Sequence, residues 1–125
     1  MLVDDDARVR RTLAALLRLD RAWDILGEAS DTAGALELVS AARPELVLLD
    51  RWLADADALL AVPRLLALDP APLVVILSAD PEAASKAQAL GLAGTLCLDK
   101  LAPPSELLAA LRGLFGTAAW PPRPR

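Results

Sequence analysis

The sequence contains no histidine and a single cysteine, Cys97. The missing imidazole excludes the Ser-His-Asp triad, the usual histidine-containing zinc sites and any role as a phosphohistidine donor. One thiol also excludes an internal disulfide framework. Any chemistry must therefore come from carboxylates, hydroxyls or a lysine. Only two of the thirteen basic residues, Lys86 and Lys100, are lysines, so a lysine at a special place in this chain is informative.

Long apolar runs and an excess of positive charge are missing as well. No run comes near the roughly 20 residues of a membrane-spanning helix, and three aspartates directly after Met1-Leu2-Val3 do not resemble a signal peptide. The net charge of −4 argues against direct nucleic-acid binding, which needs a basic surface. We expect a soluble, cytoplasmic domain that binds neither membranes nor nucleic acids.

Five apolar segments are predicted to be strands. They are Leu2-Val3, 23–29, 45–50, 72–78 and 95–99. Segments with helical spacing of apolar residues follow them. These lie at about 7–19, around 35–39 with Asp31 or Thr32 as N-cap, at 55–68 with a kink or interruption at Pro63, at 81–91 ending at Gly91, and from Pro103-Pro104 to Phe115. Residues 116–125 have no periodicity and are predicted to form an irregular tail.

This alternation of strands and helices predicts the fold class. Five βα units with continuous apolar strands indicate a single-domain, doubly wound α/β sandwich, in which helices cover both faces of a parallel five-stranded sheet. In such open sheets, ligands bind beyond the carboxyl ends of the strands. The residues at these ends are Asp4 and Asp5, Glu28 to Ser30, Asp50, Ser78, and Asp99 with Lys100.

The strand-end residues suggest a particular chemistry. Three carboxylates in one pocket would repel one another unless a pKa rises or a cation binds, and oxygen ligands suit Mg²⁺. A carboxylate can also attack phosphorus and form an aspartyl phosphate. Mg²⁺, the Lys100 ammonium and the Ser78 hydroxyl could then compensate the charge of the phosphoryl oxygens.

Four motifs, in chain order, resemble the receiver domain of bacterial two-component response regulators. They are LVDDD at 2–6, PELVLLD at 44–50, VVILSA at 74–79, and LDK at 98–100 followed by PPSELLAAL at 103–111. The resemblance covers about residues 1–115 and implies strand order 2-1-3-4-5. It also implies phosphoryl transfer from a sensor histidine kinase or phosphotransfer protein, slow self-dephosphorylation, and a downstream output protein, output domain or second copy as binding partner.

Roles at the acidic site follow from the same resemblance. Asp50 corresponds to the phosphoacceptor and is also a metal ligand. Asp5 corresponds to a direct ligand of Mg²⁺, and Asp4 to a ligand that acts through water. The backbone carbonyl of Trp52 corresponds to a further metal ligand.

Roles toward the phosphate follow similarly. Ser78 corresponds to the residue that bonds a phosphoryl oxygen, and Lys100 to the lysine that pairs with the phosphate. Counting forward from Gly91 would instead place Leu98 at the lysine position. We prefer Lys100, because lysine is scarce here and this one ends an apolar strand. In that register Cys97 replaces the aromatic switch residue of the family.

The segment 51–58, RWLADADA, differs most from the family pattern. Ala54 stands in place of a proline, Asp55 and Ala58 in place of glycines, and Asp57 matches. Three hypotheses follow. The first is a phosphoaccepting receiver, the second a pseudo-receiver that acts as an unphosphorylated docking module, and the third a flavodoxin-like catalyst. The third is the weakest, since no glycine-rich phosphate loop follows any strand.

Overall fold

The structure is a computed structural model that describes residues 1–92 and 95–114. Five parallel strands form one sheet in the order β2-β1-β3-β4-β5. They are β1 (Leu2–Val3), β2 (Glu28–Ala29), β3 (Leu46–Asp50), β4 (Leu73–Ser78) and β5 (Leu96–Asp99). The predicted fold class and strand order are confirmed.

Helices follow the strands. They are α1 (Ala7–Leu19), α2 (Thr32–Ala42), α3 (Val62–Leu66), α4 (Ala83–Ala89) and α5 (Pro104–Leu114). Among them, none is long and apolar enough to cross a membrane. The predictions for Phe115 and for the tail 116–125 lie outside the described residues.

The two faces of the sheet pack separate apolar clusters. On β3, Val47 and Leu49 belong to the cluster beneath α2 and α3, whereas Leu48 belongs to the cluster beneath α1 and α5. On β4, Ile76 and Val75 divide in the same way. Side chains of successive strand residues point to opposite faces, so this alternation also decides where the polar residues after each strand are directed.

Strand β2 is shorter than predicted. We expected a strand over 23–29, but only Glu28 and Ala29 pair with β1. Its partner β1 has two residues, Leu2 and Val3, and each already pairs with one residue of β2. Ladder pairing cannot extend beyond the two residues of β1, so residues 23–27 lie outside the strand, although the carbonyl of Gly27 still accepts a hydrogen bond from the N–H of Leu2.

The predicted helix over 55–68 is interrupted, as Pro63 required, and is less regular than expected. A 3-10 helix covers Ala58–Leu60, and α3 begins at Val62 with Pro63 in its first turn, where a missing N–H costs little. Asp55 does not begin a helix. Its carboxylate accepts hydrogen bonds from the N–H and the hydroxyl of Thr32 at the start of α2.

Helix α4 ends at the predicted glycine. Gly91 has a φ of +77°, which glycine adopts without strain. The N–H of Gly91 donates to the carbonyl of Gln88, and the N–H of Leu92 donates to that of Ala87. These two bonds form a Schellman motif.

Candidate functional site

Three aspartates converge at the carboxyl end of the sheet. Because β1 pairs with β3 through Val3 and Leu49, the residues that come next, Asp4 and Asp50, lie side by side. Carboxylate oxygens of Asp4, Asp5 and Asp50 all lie within 4.8 Å of one another. Asp4 and Asp50 are buried and Asp5 is exposed. The structure therefore brings together the three predicted carboxylates.

Lys100 lies against two of these carboxylates. Its Nζ donates to Oδ1 of Asp50 at 2.8 Å and to Oδ2 of Asp4 at 3.2 Å. Its backbone N–H donates to the carbonyl of Ser78 at 3.0 Å, which extends the β4–β5 pairing beyond β5. Leu98 instead packs into the apolar cluster beneath α1 and α5. Lys100, rather than Leu98, is the residue that faces the acids.

Burial and the attraction between Lys100 and the carboxylates shift the pKa values of this cluster in opposite directions. Burial raises the pKa of Asp50, the hydrogen bond from Lys100 opposes that shift, and the negative charges of Asp4 and Asp5 add to it. Burial alone would lower the pKa of Lys100, but its bonds and attraction to Asp50 and Asp4 outweigh burial and raise it. The lysine consequently stays charged and provides the partner that a buried carboxylate needs.

Ser78 is the last residue of β4, and its hydroxyl oxygen accepts a hydrogen bond from within its own loop. The residue is buried, and its Oγ accepts a hydrogen bond from the N–H of Asp80 at 3.0 Å. Within the part of the chain that the structure describes, no hydrogen bond joins Ser78 to Asp50. The side chain of Asp80 is itself fixed, because Oδ1 accepts from the N–H of Glu82 and Oδ2 from the side chains of Arg51 and Lys86.

Trp52 follows Asp50 in a loop that folds back on itself. Trp52 and Asp57 face each other in an antiparallel bridge. The bonds of this bridge come from neighbouring residues, from Ala58 N–H to the carbonyl of Arg51 at 2.7 Å and from Leu53 N–H to the carbonyl of Ala56 at 3.2 Å. The carbonyl of Trp52 is thus directed away from the paired segment. Its role as a metal ligand stays a prediction.

A functional residue that the sequence did not single out is Arg51, a buried cation that directly follows Asp50 in the chain. Its side chain is only 5 % exposed and forms ion pairs with Asp57 and Asp80. One signal could have identified it. Arg51 follows the buried Leu49 by two residues, so strand alternation directs its side chain to the same buried face, where a charge needs partners.

A second arginine, Arg10, holds the backbone of the site. Its Nη1 donates to the carbonyl of Asp4, and its Nε donates to Oε1 of Glu28 at 3.2 Å. Arg10 lies on α1 among several other arginines, and nothing in the sequence sets it apart from them.

A cavity of about 230 Å³ opens beside Ser78 and is lined by Asp80, Ala83 and Cys97, among others. Burial raises the pKa of the Cys97 thiol, so the sulfur stays protonated and acts as a small apolar side chain. The cavity lies between β5 and the start of α4.

Comparison with known proteins agrees with this geometry. Residues 1–112 match the family model of the response regulator receiver domain. The signal receiver domain of the response regulator NarL from Mycobacterium tuberculosis superposes with a TM-score of 0.78 at 28 % identity, covering 90 % of this chain and 91 % of that one. The receiver domain of the response regulator PhyR from Erythrobacter litoralis gives a TM-score of 0.75 at 26 % identity, covering 99 % and 93 %.

Curated relatives include much longer enzymes. A protein-glutamate methylesterase/protein-glutamine glutaminase from Anaeromyxobacter dehalogenans is 34 % identical over 80 residues, which are 64 % of this chain and 23 % of that enzyme. The chain thus spans less than a quarter of that relative's length. Since the family model extends from β1 through most of α5 and the fold agrees with it, the chain belongs to the response regulator receiver domains of two-component signal transduction.

Proposed function

We propose that this receiver accepts a phosphoryl group on Asp50 with the help of Mg²⁺, and that phosphorylation changes the partner it binds. The supporting observation is that the Asp50 carboxylate contacts a cation and also lies next to two other carboxylates. Lys100 Nζ lies 2.8 Å from its Oδ1, and oxygens of Asp4 and Asp5 lie within 4.8 Å. A cation and an acidic pair around one carboxylate suit both metal binding and phosphoryl transfer.

The donor set fits Mg²⁺. All three side chains offer hard oxygen atoms, and Mg²⁺ binds through one or two carboxylates while it keeps several waters. Asp5 and Asp50 would ligate directly, Asp4 through water, and the carbonyl of Trp52 would complete the protein ligands. Asp5 is exposed, which leaves one side of the cluster open to water. When bound, the metal would neutralise part of the charge on the transferring phosphoryl group.

Each residue of the site then has its own role in the reaction. A carboxylate oxygen of Asp50 attacks phosphorus, the O–P bond forms, and the P–N bond to the histidine of a sensor kinase or phosphotransfer protein breaks. The leaving nitrogen takes up a proton. The Lys100 ammonium pairs with one phosphoryl oxygen, and the Ser78 hydroxyl donates to another. Attack of water on phosphorus later breaks the O–P bond, releases inorganic phosphate and restores Asp50.

The output follows from a two-state equilibrium that phosphorylation shifts. The partner would be a downstream protein, an output domain or a second copy of the receiver. We place this exchange in the cytoplasm, where a sensor kinase would transfer its phosphoryl group to a receiver.

The test is a titration with Mg²⁺ followed by a small phosphodonor or beryllofluoride, with tryptophan fluorescence as the signal and phosphate incorporation measured in parallel. We expect a Mg²⁺-dependent fluorescence change and incorporation that Asp50→Asn abolishes. Trp52→Phe assigns the optical signal to the tryptophan beside the site. If the wild-type chain incorporates no phosphate, the docking module becomes the better hypothesis. Specific flavin binding would instead support a flavodoxin-like catalyst.

A further inference from the structure

We propose that Arg51 is a positioning residue for the chemistry at Asp50, because its guanidinium joins the loop that carries Trp52 to the loop that carries Ser78. This inference rests on the proposed function. It concerns a residue outside the acidic cluster, on the opposite face of the sheet from Lys100.

The guanidinium is buried between two carboxylates from different loops. Its Nη1 donates to Oδ2 of Asp80 at 2.7 Å, its Nη2 to Oδ2 of Asp57 at 3.3 Å, and its Nε to Oδ1 of Asp57 at 3.4 Å. Burying a cation is costly unless hydrogen bonds compensate it, and an apolar side chain at the same place is often no less stable. Stability alone therefore gives a weak reason for an arginine here, and its geometric effect gives a stronger one.

The first effect of Arg51 is on the loop 51–58. Its bonds to Asp57 close the loop across six residues, parallel to the backbone bridge between Trp52 and Asp57. The guanidinium also lies over the Trp52 ring, 4.4 Å from its centroid, a distance at which the cation attracts the ring. Side chain and backbone together fix the Trp52 peptide, the predicted metal ligand, without the proline and glycines that the family pattern has here.

The second effect is on Ser78. Asp80 is held by Arg51 through its carboxylate, while its N–H donates to Oγ of Ser78. The Asp80 N–H occupies one lone pair of the Ser78 oxygen, and the O–H remains to donate to a phosphoryl oxygen. The orientation of that O–H depends on Asp80, and through Asp80 on Arg51. The pKa of Asp80 is lowered to about 2 by Lys86, the Glu82 N–H and Arg51, so the carboxylate stays charged near neutral pH.

Lys86 provides a matched control. Its Nζ contacts the same Asp80 oxygen at 2.8 Å, but from the exposed side, and it reaches no residue of the loop 51–58 among the described contacts. Lys86→Gln removes one cation from Asp80 and leaves the link between the loops intact. Arg51→Gln removes the link itself, and Arg51→Lys keeps the charge but lacks the planar fork that spans two carboxylates.

The experiment compares Arg51→Gln, Arg51→Lys, Asp80→Asn, the double variant Arg51→Gln/Asp80→Asn and Lys86→Gln. Two properties are measured, namely the Mg²⁺ concentration that gives half-maximal phosphorylation and the half-life of the phosphoryl group. We expect both to change about tenfold in Arg51→Gln, with Arg51→Lys close to it and Lys86→Gln within about twofold of wild type. Arg51→Gln and Asp80→Asn should be non-additive in the double variant, because contacting residues couple.

A second measurement does not depend on phosphorylation. Amide hydrogen exchange of the unphosphorylated protein should accelerate at both 52–58 and 79–82 in Arg51→Gln, but change little at either segment in Lys86→Gln, where Arg51 still holds Asp80. Normal phosphorylation kinetics in a folded Arg51→Gln variant would overturn the role of Arg51 while the proposed function stands. If the wild type takes up no phosphate at all, the proposed function fails, and the role of Arg51 in that chemistry fails with it. Asp80→Asn, which retains the buried arginine, keeps the test informative if Arg51→Gln does not fold.

Discussion

The Asp50 carboxylate tolerates its buried position because Lys100 lies against it. Burial raises the pKa of Asp50, the bond from Lys100 counteracts that rise, and repulsion from Asp4 and Asp5 reinforces it. One ammonium thus offsets part of the repulsion among three carboxylates. A divalent cation would act on the same charge, so the lysine and the metal partly substitute for each other in stabilising the fold.

This substitution is testable with Lys100→Met. Without Mg²⁺ the variant should lose about 1 to 3 kcal/mol of unfolding free energy, less than the ~3–5 kcal/mol of a fully buried pair, because the Lys100 side chain is 29 % exposed. Added Mg²⁺ should raise the Tm of the variant more than that of the wild type, since the cation has more uncompensated charge to neutralise. Differential scanning calorimetry with and without Mg²⁺ measures both effects.

The control for that measurement is Lys86→Met, which removes the other lysine. Lys86 lies on α4 and pairs with Asp80 from an exposed position, away from the acidic cluster. Its response to Mg²⁺ should equal that of the wild type. An equal Mg²⁺-induced rise in Tm for Lys100→Met and the wild type would contradict the expectation that lysine and metal partly substitute for each other.

At the scale of elements, the end of α4 depends on the backbone conformation of one residue. Gly91 has a φ of +77°, and a Cβ built on it would meet no atom of the described residues within 4 Å. Since no described residue blocks a side chain here, we expect the cost of a larger residue to come from the left-handed backbone conformation.

We expect Gly91→Ala to lower the unfolding free energy by about 1 to 2 kcal/mol, the cost of placing a non-glycine residue in this region. Gly91→Asn should cost less, since asparagine tolerates the left-handed conformation. Urea unfolding of both variants measures the difference. Equal losses for alanine and asparagine would mean that conformational strain is not the cause.

The C-terminal ends of α1 and α5 are joined by an ion pair. Asp20, which is buried, accepts hydrogen bonds from Nε and Nη2 of Arg112 and from Nε1 of Trp23. The hydrogen bond from Arg112 is the main cause that lowers the pKa of Asp20. The folded pKa lies below the unfolded value of about 3.9, so the carboxylate stabilises the fold above that pH.

The stabilisation should be lost as pH falls below about 3.9 and through the lower folded pKa, because protonation then breaks the pair. We expect the wild type to lose more unfolding free energy between pH 7 and about pH 3 than Arg112→Gln does. Urea unfolding at the two pH values, followed by tryptophan fluorescence, gives the comparison. Arg64→Gln, at an exposed position of α3, should show the acid sensitivity of the wild type. If Arg112→Gln shows it too, the pair does not contribute to acid stability.

At the scale of the whole molecule, the sheet is buried by helices on both faces, and β4 lies between β3 and β5. Ile76 pairs with Leu49 of β3 and Cys97 of β5 and is fully buried. Truncation of this side chain would therefore leave a cavity in the core.

Ile76→Ala should lower the unfolding free energy by about 2 to 5 kcal/mol, a large part of the ~5–15 kcal/mol typical of a domain. Leu66→Ala removes an apolar side chain that is 40 % exposed on α3 and should cost much less. Urea unfolding of both variants, evaluated with the same dependence of the unfolding free energy on urea concentration, compares the two losses. Similar losses would show that the burial of Ile76 does not set the cost of its truncation.

The sequence predicts the fold well where local patterns decide. Continuous apolar strands such as β4 are recognisable because burial on both faces removes the polar alternation, and Gly91 marks a helix end by its own chemistry. The convergence of Asp4, Asp5, Asp50 and Lys100 also follows, since parallel strands end at one edge of the sheet. Their catalytic and metal-binding roles remain predictions.

Features that depend on distant partners could not be predicted. The length of β2 is limited by β1, and Asp55 binds Thr32, which is 23 residues away in the chain. The partner of Arg51 could not be predicted either, since Asp80 is 29 residues away, although strand alternation predicts that the Arg51 side chain is buried. No local sequence pattern connects these residue pairs. The sequence shows that the loop 51–58 lacks the proline and glycines of the family pattern, but it does not show which contacts hold the loop.

The ion pairs of Arg51 also constrain which substitutions this sequence can accept during evolution. A lineage that replaced Arg51 with an apolar residue would leave Asp57 and Asp80 without their shared cation. We therefore expect positions 51, 57 and 80 to be exchanged together among close relatives, or proline and glycine to return to the loop 51–58 when the arginine is lost. Exposed positions such as Arg64 should vary independently. An alignment of near relatives would therefore show covariation among positions 51, 57 and 80 but not with position 64.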